Sequence, residues 1–177
     1  MKKVITVIVV LLCFAAGFGA YYYKTDYSIT NSSQWHSLNE SEFSAKIPKT
    51  MEKGSSYSTS TGQQGIASYS NSKAAFSVSK ISYSQNEALK DMDLKEYLSN
   101  LKINGQKLTP VAINDGYYAA YTKTSKDFFN EDTEIYMVEA MYQGDDALYS
   151  VTVCCRLSDR KKYESSMMEW LDSFKLK

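Results

Sequence analysis

The chain has 177 residues, 20 basic and 20 acidic side chains, and no formal net charge. Its charges are interspersed, so no basic surface is available to neutralise phosphates, and nucleic acid is excluded as an expected partner. One histidine and three cysteines argue against a Ser-His-Asp set or a metal framework, and no cofactor is expected.

Lys2 and Lys3 precede a run that carries no charge until Lys24. Roughly 20 residues at 1.5 Å each span about 30 Å, the thickness of a bilayer's hydrocarbon core. Basic residues at its head keep the N-terminus cytoplasmic and send the remainder across. Residues 1–24 therefore read as a single-pass membrane anchor, or alternatively as a signal peptide removed after export. Residues 25–41, rich in Ser, Asn and Thr and with little periodicity, read as a polar linker that has room for one short helical or extended turn around Trp35 and Leu38. Residues 42–177 make one domain.

That domain opens with a strand over 43–48, where Phe43, Ala45 and Ile47 alternate with Ser44 and Lys46. A Ser/Thr/Gly-rich loop over 53–65 leads into a strand pair, 66–69 and 74–83. A helix over 93–103 follows, with Asp93 and Glu96 as its capping box and Asn104-Gly105 as its stop. Pro110 makes the strand over 107–113 an edge strand. Asn114-Asp115-Gly116 turns the chain into a strand over 117–124. Two long strands, 133–143 and 147–157, are joined at Gly144-Asp145-Asp146, where glycine is expected to supply a positive φ. In the second, Ala147, Tyr149, Val151, Val153, Cys155 and Leu157 share one face, while Ser150, Thr152, Cys154 and Arg156 share the other. In the first, the even positions Tyr136, Val138, Ala140 and Tyr142 and the odd positions Ile135, Met137, Glu139 and Met141 are both largely apolar, so this strand is expected to be central and covered on both sides. The last helix begins at Ser158 or Asp159 and carries an apolar stripe of Tyr163, Met167, Trp170, Leu171 and Phe174. The sum is an α+β fold: an antiparallel sheet of about six or seven strands with two main helices packed on it.

The segments FSAKIPKTM, DLKEYLSNL, NDGYYAAYTK and EWLDSFKLK, taken in this order, resemble the PsbP-like family. That family includes the extrinsic lumenal subunit of photosystem II, a Ran-binding import factor and many small bacterial envelope proteins. The resemblance implies an α/β/α sandwich and an exported, non-catalytic binding or assembly domain.

Cys154 and Cys155 are neighbours in a strand, so their thiols point to opposite faces and a disulfide between them is not expected. The acids Asp127, Glu131, Asp132 and Glu134 lack the spacing of a calcium loop. The candidate binding residues are Tyr57 in the 53–65 loop and the cations Arg156, Arg160, Lys161 and Lys162. The last three sit at the start of a helix, where the macrodipole disfavours positive charge. The function expected is a membrane-anchored extracytoplasmic domain that binds a protein or envelope component and is not an enzyme. The alternative is a small envelope enzyme or lipid-binding carrier.

Overall fold

The structure is a computed structural model that describes residues 20–21, 23–55, 57–58, 62–126 and 132–177. Its centre is the hairpin foreseen from the alternation: β11 (Asp132–Gln143) and β12 (Ala147–Arg156) pair antiparallel from Ile135 opposite Arg156 to Gln143 opposite Leu148. Earlier in the chain come helix α1 (residues 23–30), β1 (Trp35–Asn39), β2 (Phe43–Pro48), β3 (Glu52–Lys53), β4 (Tyr57–Ser58), β5 (Gln64–Ser70) and β6 (Ala74–Ser82). Then follow α2 (Leu94–Asn100), β7 (Lys102–Ile103), β8 (Gln106–Lys107), β9 (Val111–Ile113) and β10 (Gly116–Lys126). After the hairpin come α3 (Arg160–Asp172) and β13 (Lys175–Leu176). Among the described residues the main sheet runs β3-β5-β6-β12-β11-β10-β9, with β4 also on the edge of β5. Every pairing in it is antiparallel. Helices cover both faces, so the α+β sandwich expected from the sequence is the fold observed.

The two faces bury separate cores because side chains alternate along each strand. On one, Phe76, Val78, Val138, Ala140, Val151, Val153 and Cys155 are sealed by the α3 stripe of Tyr163, Met167, Trp170 and Leu171, with Phe174 just beyond it. On the other, Leu94 and Leu98 of α2 pack with Leu108 over Ala119, Met141 and Leu148. This second core is smaller and covers only one end of its face. Asp93 caps α2, its Oδ1 accepting from the amide of Glu96 at 3.0 Å.

Four local expectations are corrected. The strand Phe43–Pro48 is not part of the main sheet; it forms a separate three-stranded sheet, β1-β2-β13, closed by the C-terminus. Helix α2 ends at Asn100, and Asn104 and Gly105, both at positive φ, are the turn of the β7–β8 hairpin. Two consecutive left-handed residues suit a two-residue hairpin turn as well as a helix stop. Gly144 is not at positive φ. A Cβ there would lie 2.7 Å from the Tyr149 ring, so close approach is what requires glycine.

The largest correction is the polar linker. Residues 23–30 are helical, Ser32–Gln34 form a 3-10 turn, and Trp35–Asn39 pair with Phe43–Pro48. Helix α1 buries Thr25, Ser28 and Ile29, a stripe at helical spacing in which only one residue is apolar. Thr25 bonds its hydroxyl back to the Tyr21 carbonyl at 3.1 Å, which lets a polar residue be buried. The Trp35 indole donates to the carbonyls of Ser28 and Ile29 at the end of α1 and meets Trp170 edge-on at 6.1 Å. His36, the lone histidine, is a residue of β1 opposite Ile47. Among the described residues, no helix is long and apolar enough to cross a membrane. The anchor run over 4–19 lies outside them.

Because Ile29 is fully buried, truncating it reports whether α1 belongs to the folded unit. Ile29→Ala should cost about 2–5 kcal/mol in urea unfolding, as core truncations do. A linker residue would show no change.

Candidate functional site

The strand over 133–143 is central as expected, but the described residues cover the face of the main sheet beneath α2 only in part, so the strand is not covered on both sides along its length. Beyond the α2 core that face continues as a half-buried floor. The register sets Ala119, Glu139, Thr152, Ser77 and Ser68 in one row across β10, β11, β12, β6 and β5. The next row holds Tyr121, Met137, Cys154 and Ala75. Small hydroxyls therefore line the floor, with one carboxylate near its middle. The Glu139 carboxylate accepts from Ser150 Oγ at 2.8 Å and from the Tyr121 hydroxyl at 3.1 Å. Burial first, then the Glu139 charge and the bond to it, push the Tyr121 phenol well above its ordinary value, so it stays a donor. Ser79, buried beside Ser150, accepts from the Gln63 amide at 2.8 Å. Cys154 faces this floor and is a free thiol; burial raises it above the usual thiol range, which leaves it un-ionised and a weak nucleophile. Cys155 faces the opposite core, its thiol pushed up to about 12 chiefly by burial.

Four other carboxylates take part in a recurring contact with tyrosine, and each also has a cation. Tyr149 donates to Glu42 at 2.7 Å and Lys80 pairs with the same oxygen at 2.6 Å. Tyr69 and Lys53 meet on Glu40, at 2.5 and 2.9 Å. Tyr163 and Lys162 meet on Asp26. Tyr136 donates to Glu164 at 2.5 Å, and Arg160 grips that carboxylate with both Nε and a terminal nitrogen. Three of the four acids, Asp26, Glu40 and Glu42, belong to the N-terminal segment, while the tyrosines come from the main sheet and α3. Glu139 alone among the five has no ion pair among the described residues, and that distinguishes the floor from the rim.

The candidate residues chosen from sequence fall as follows. Tyr57 lies in β4, opposite Gly65 at the edge of β5. Arg156 ends β12 opposite Ile135. Arg160 also stacks on the Tyr136 ring, 4.3 Å from its centre. Lys162 is held by Asp26 and Lys161 is exposed. The basic start of α3 thus has intramolecular carboxylate partners that offset the macrodipole mismatch. These residues do not converge on one point: Arg156 shares the sheet face of Thr152 and Cys154 and follows Cys154 by two residues, Tyr57 lies in register with Ser79 and Ser150 through Gly65, and Arg160, Lys161 and Lys162 belong to α3 over the opposite face. Asp127 and Glu131 of the acidic group lie outside the described residues. Among the described residues no group of three or more His, Cys, Asp or Glu could hold a metal ion. Glu139 was visible in the sequence as the one acid among apolar odd positions of its strand.

No family model matches the sequence, and no curated protein matches it. Among solved structures, the chain is similar to a protein of Bacteroides thetaiotaomicron VPI-5482, with 10% identity and a TM-score of 0.45 over 76% of this chain. It covers 45% of that protein and so spans less than half its length. It is also similar to the Saccharomyces cerevisiae Ran-binding protein Mog1p, with 9% identity and a TM-score of 0.46 over 80% of this chain and 95% of that one. At these identities the likeness is one of fold alone.

The tyrosine contacts have a pH signature. At Asp26 and Glu42 burial alone would raise the carboxyl, but bonds from Lys162 and Tyr163, and from Lys80 and Tyr149, outweigh it. At Glu40 the Tyr69 bond is the main cause of a lowered value, and at Glu164 the Arg160 bond. A lowered folded-state value favours folding fully above the ordinary carboxyl value, and that gain fades as pH falls through the folded-state one. Thermal melts should therefore show stability falling below about pH 4.5. Tyr149→Phe should cost about 1 kcal/mol at pH 7, and less once the pH is low enough to protonate Glu42, whose carboxyl is held below its ordinary value.

Proposed function

We propose that this chain is a membrane-anchored domain, presented outside the cytoplasm, that binds a protein partner through the half-buried floor around Glu139. The observation that carries this reading is the carboxylate itself. It is oriented by Tyr121 and Ser150, it lies on a half-buried stretch of the sheet face, and among the described residues it has no ion pair, whereas Asp26, Glu40, Glu42 and Glu164 each have one. A half-buried carboxylate in that state is matched by a lysine or arginine from a partner, and the surrounding hydroxyls suit the polar groups of a polypeptide. The partner proposed is therefore a protein segment bearing a basic side chain. Export and anchoring rest on Lys2, Lys3 and the uncharged run that follows. A lipid carrier would require an enclosed apolar chamber; here Trp170, Tyr163, Phe43, Phe76 and Phe174 fill the main core. The role proposed is non-catalytic binding.

The test is a photo-crosslinking side chain at Thr152, in the full-length chain expressed in its native host. Adduct to a specific protein is expected, with the yield falling about tenfold or more in Glu139→Gln, which keeps the shape and removes the charge. An adduct unchanged by Glu139→Gln overturns the role given to this carboxylate.

A further inference from the structure

Exposed large apolar side chains among the described residues are Tyr21, Tyr23, Tyr27, Tyr97 and Val111. Three of the five sit within seven consecutive positions, at the point where the uncharged run of residues 4–23 ends. Tyr23 is 71% exposed and Tyr27 44%, and their rings stack one helical turn apart, 6.1 Å between centres and 9° from parallel. The same helix is buried on its other side at Thr25, Ser28 and Ile29, and Asp26 is fastened to Tyr163 and Lys162. Helix α1 therefore has one side committed to the domain and one aromatic side, Tyr23 and Tyr27, left exposed among the described residues.

The spacing decides what covers it. Thr25, already 2% exposed and part of the folded unit, follows Tyr23 by two residues. At 1.5 Å per residue this is a rise of about 3 Å. The headgroup layer on each side of a bilayer is about 5–8 Å thick. If residues 4–23 cross the bilayer, no chain remains to hold the domain clear of its surface. Tyrosine is favoured at that boundary, where the ring meets acyl chain and the hydroxyl meets water. Lys24 and Lys49, with Tyr21, Tyr27, Thr50 and Glu52, line an open cleft of about 430 Å³ beside α1. Two ammonium groups against one carboxylate suit the phosphate of a lipid headgroup.

We infer that α1 seats the domain directly on the membrane that holds its own anchor, with Tyr23 and Tyr27 in the headgroup layer and Lys24 and Lys49 toward lipid phosphate. This rests on the anchored reading above, so the two are tested separately on one sample. The full-length chain is reconstituted in phosphatidylcholine–phosphatidylglycerol vesicles. Resistance to an alkaline carbonate wash reads the anchor. Quenching by brominated lipids reads the seating in Tyr23→Trp and Tyr27→Trp, against the background of Trp35 and Trp170. Tyr97→Trp, on α2 at the opposite face of the sheet, is the control. Expected is carbonate resistance, with quenching at positions 23 and 27 at least about twofold above the unsubstituted chain and none added at 97. Carbonate resistance with tryptophans 23 and 27 unquenched overturns the seating and leaves the anchor standing. Quenching added equally at 97 overturns the orientation. Release by carbonate overturns both readings.

Discussion

A buried tyrosine carries a condition with it: the ring gains from leaving water, but the hydroxyl must find a partner or the gain is lost. This domain meets that condition repeatedly, with carboxylates. Tyr69, Tyr149 and Tyr163 stand on the main sheet or α3, and their acceptors Glu40, Glu42 and Asp26 arrive from the N-terminal segment. Each acid is in turn neutralised by a lysine, which keeps a partly desolvated carboxylate from being a net cost. The segment before Phe43 is thus held by polar bonds at the rim of a core whose centre is wholly apolar. Among the described residues, five of the chain's fifteen tyrosines bond a carboxylate in this way, counting Tyr121 and Tyr136.

The same arrangement sets off the open face of the sheet. Where acids serve the fold, a tyrosine and a cation converge on them. At Glu139 a tyrosine and a serine converge, and no cation among the described residues joins them. The opposite face is sealed by α3 and its apolar stripe, whereas α2 is short and covers only the end of the sheet near Met141 and Leu148. The domain thus presents one closed side, which gives it stability, and one half-open side, where a polar contact can still be completed from outside.

Much of this was legible in the chain. Alternation over residues 133–157 is a period-2 signal strong enough to fix both faces of β12 and to send Cys154 and Cys155 apart. The α3 stripe was equally plain at helical period. Helix α1 was not legible, because its buried stripe is Thr25, Ser28 and Ile29, and two of those three count as polar in any hydropathy pattern. The small sheet escaped because its closing strand, Lys175–Leu176, is two residues long and pairs with the start of the domain. Asn104-Gly105 permits either a helix stop or a hairpin turn, and the choice depends on what Lys107 pairs with. The tyrosine–carboxylate contacts join residues as far as 137 positions apart, and no local pattern announces them. Glu139 could be singled out as an oddity, but its meaning depends on which side of the sheet α2 leaves uncovered.

The ordering of residues 23–39 also changes what kind of encounter the proposed site allows. A flexible tether of about 17 residues would let a domain wander through a radius of some 20–25 Å around its anchor, meeting partners at many heights and angles. A domain fastened one turn beyond the bilayer has no such freedom. In the proposed arrangement Glu139 stands at a fixed height and faces a fixed direction, and the molecule explores its surroundings only by sliding and spinning in the plane of the membrane. A partner fixed in the same membrane at a matching height would then meet it in two dimensions, at an effective concentration set by area rather than volume.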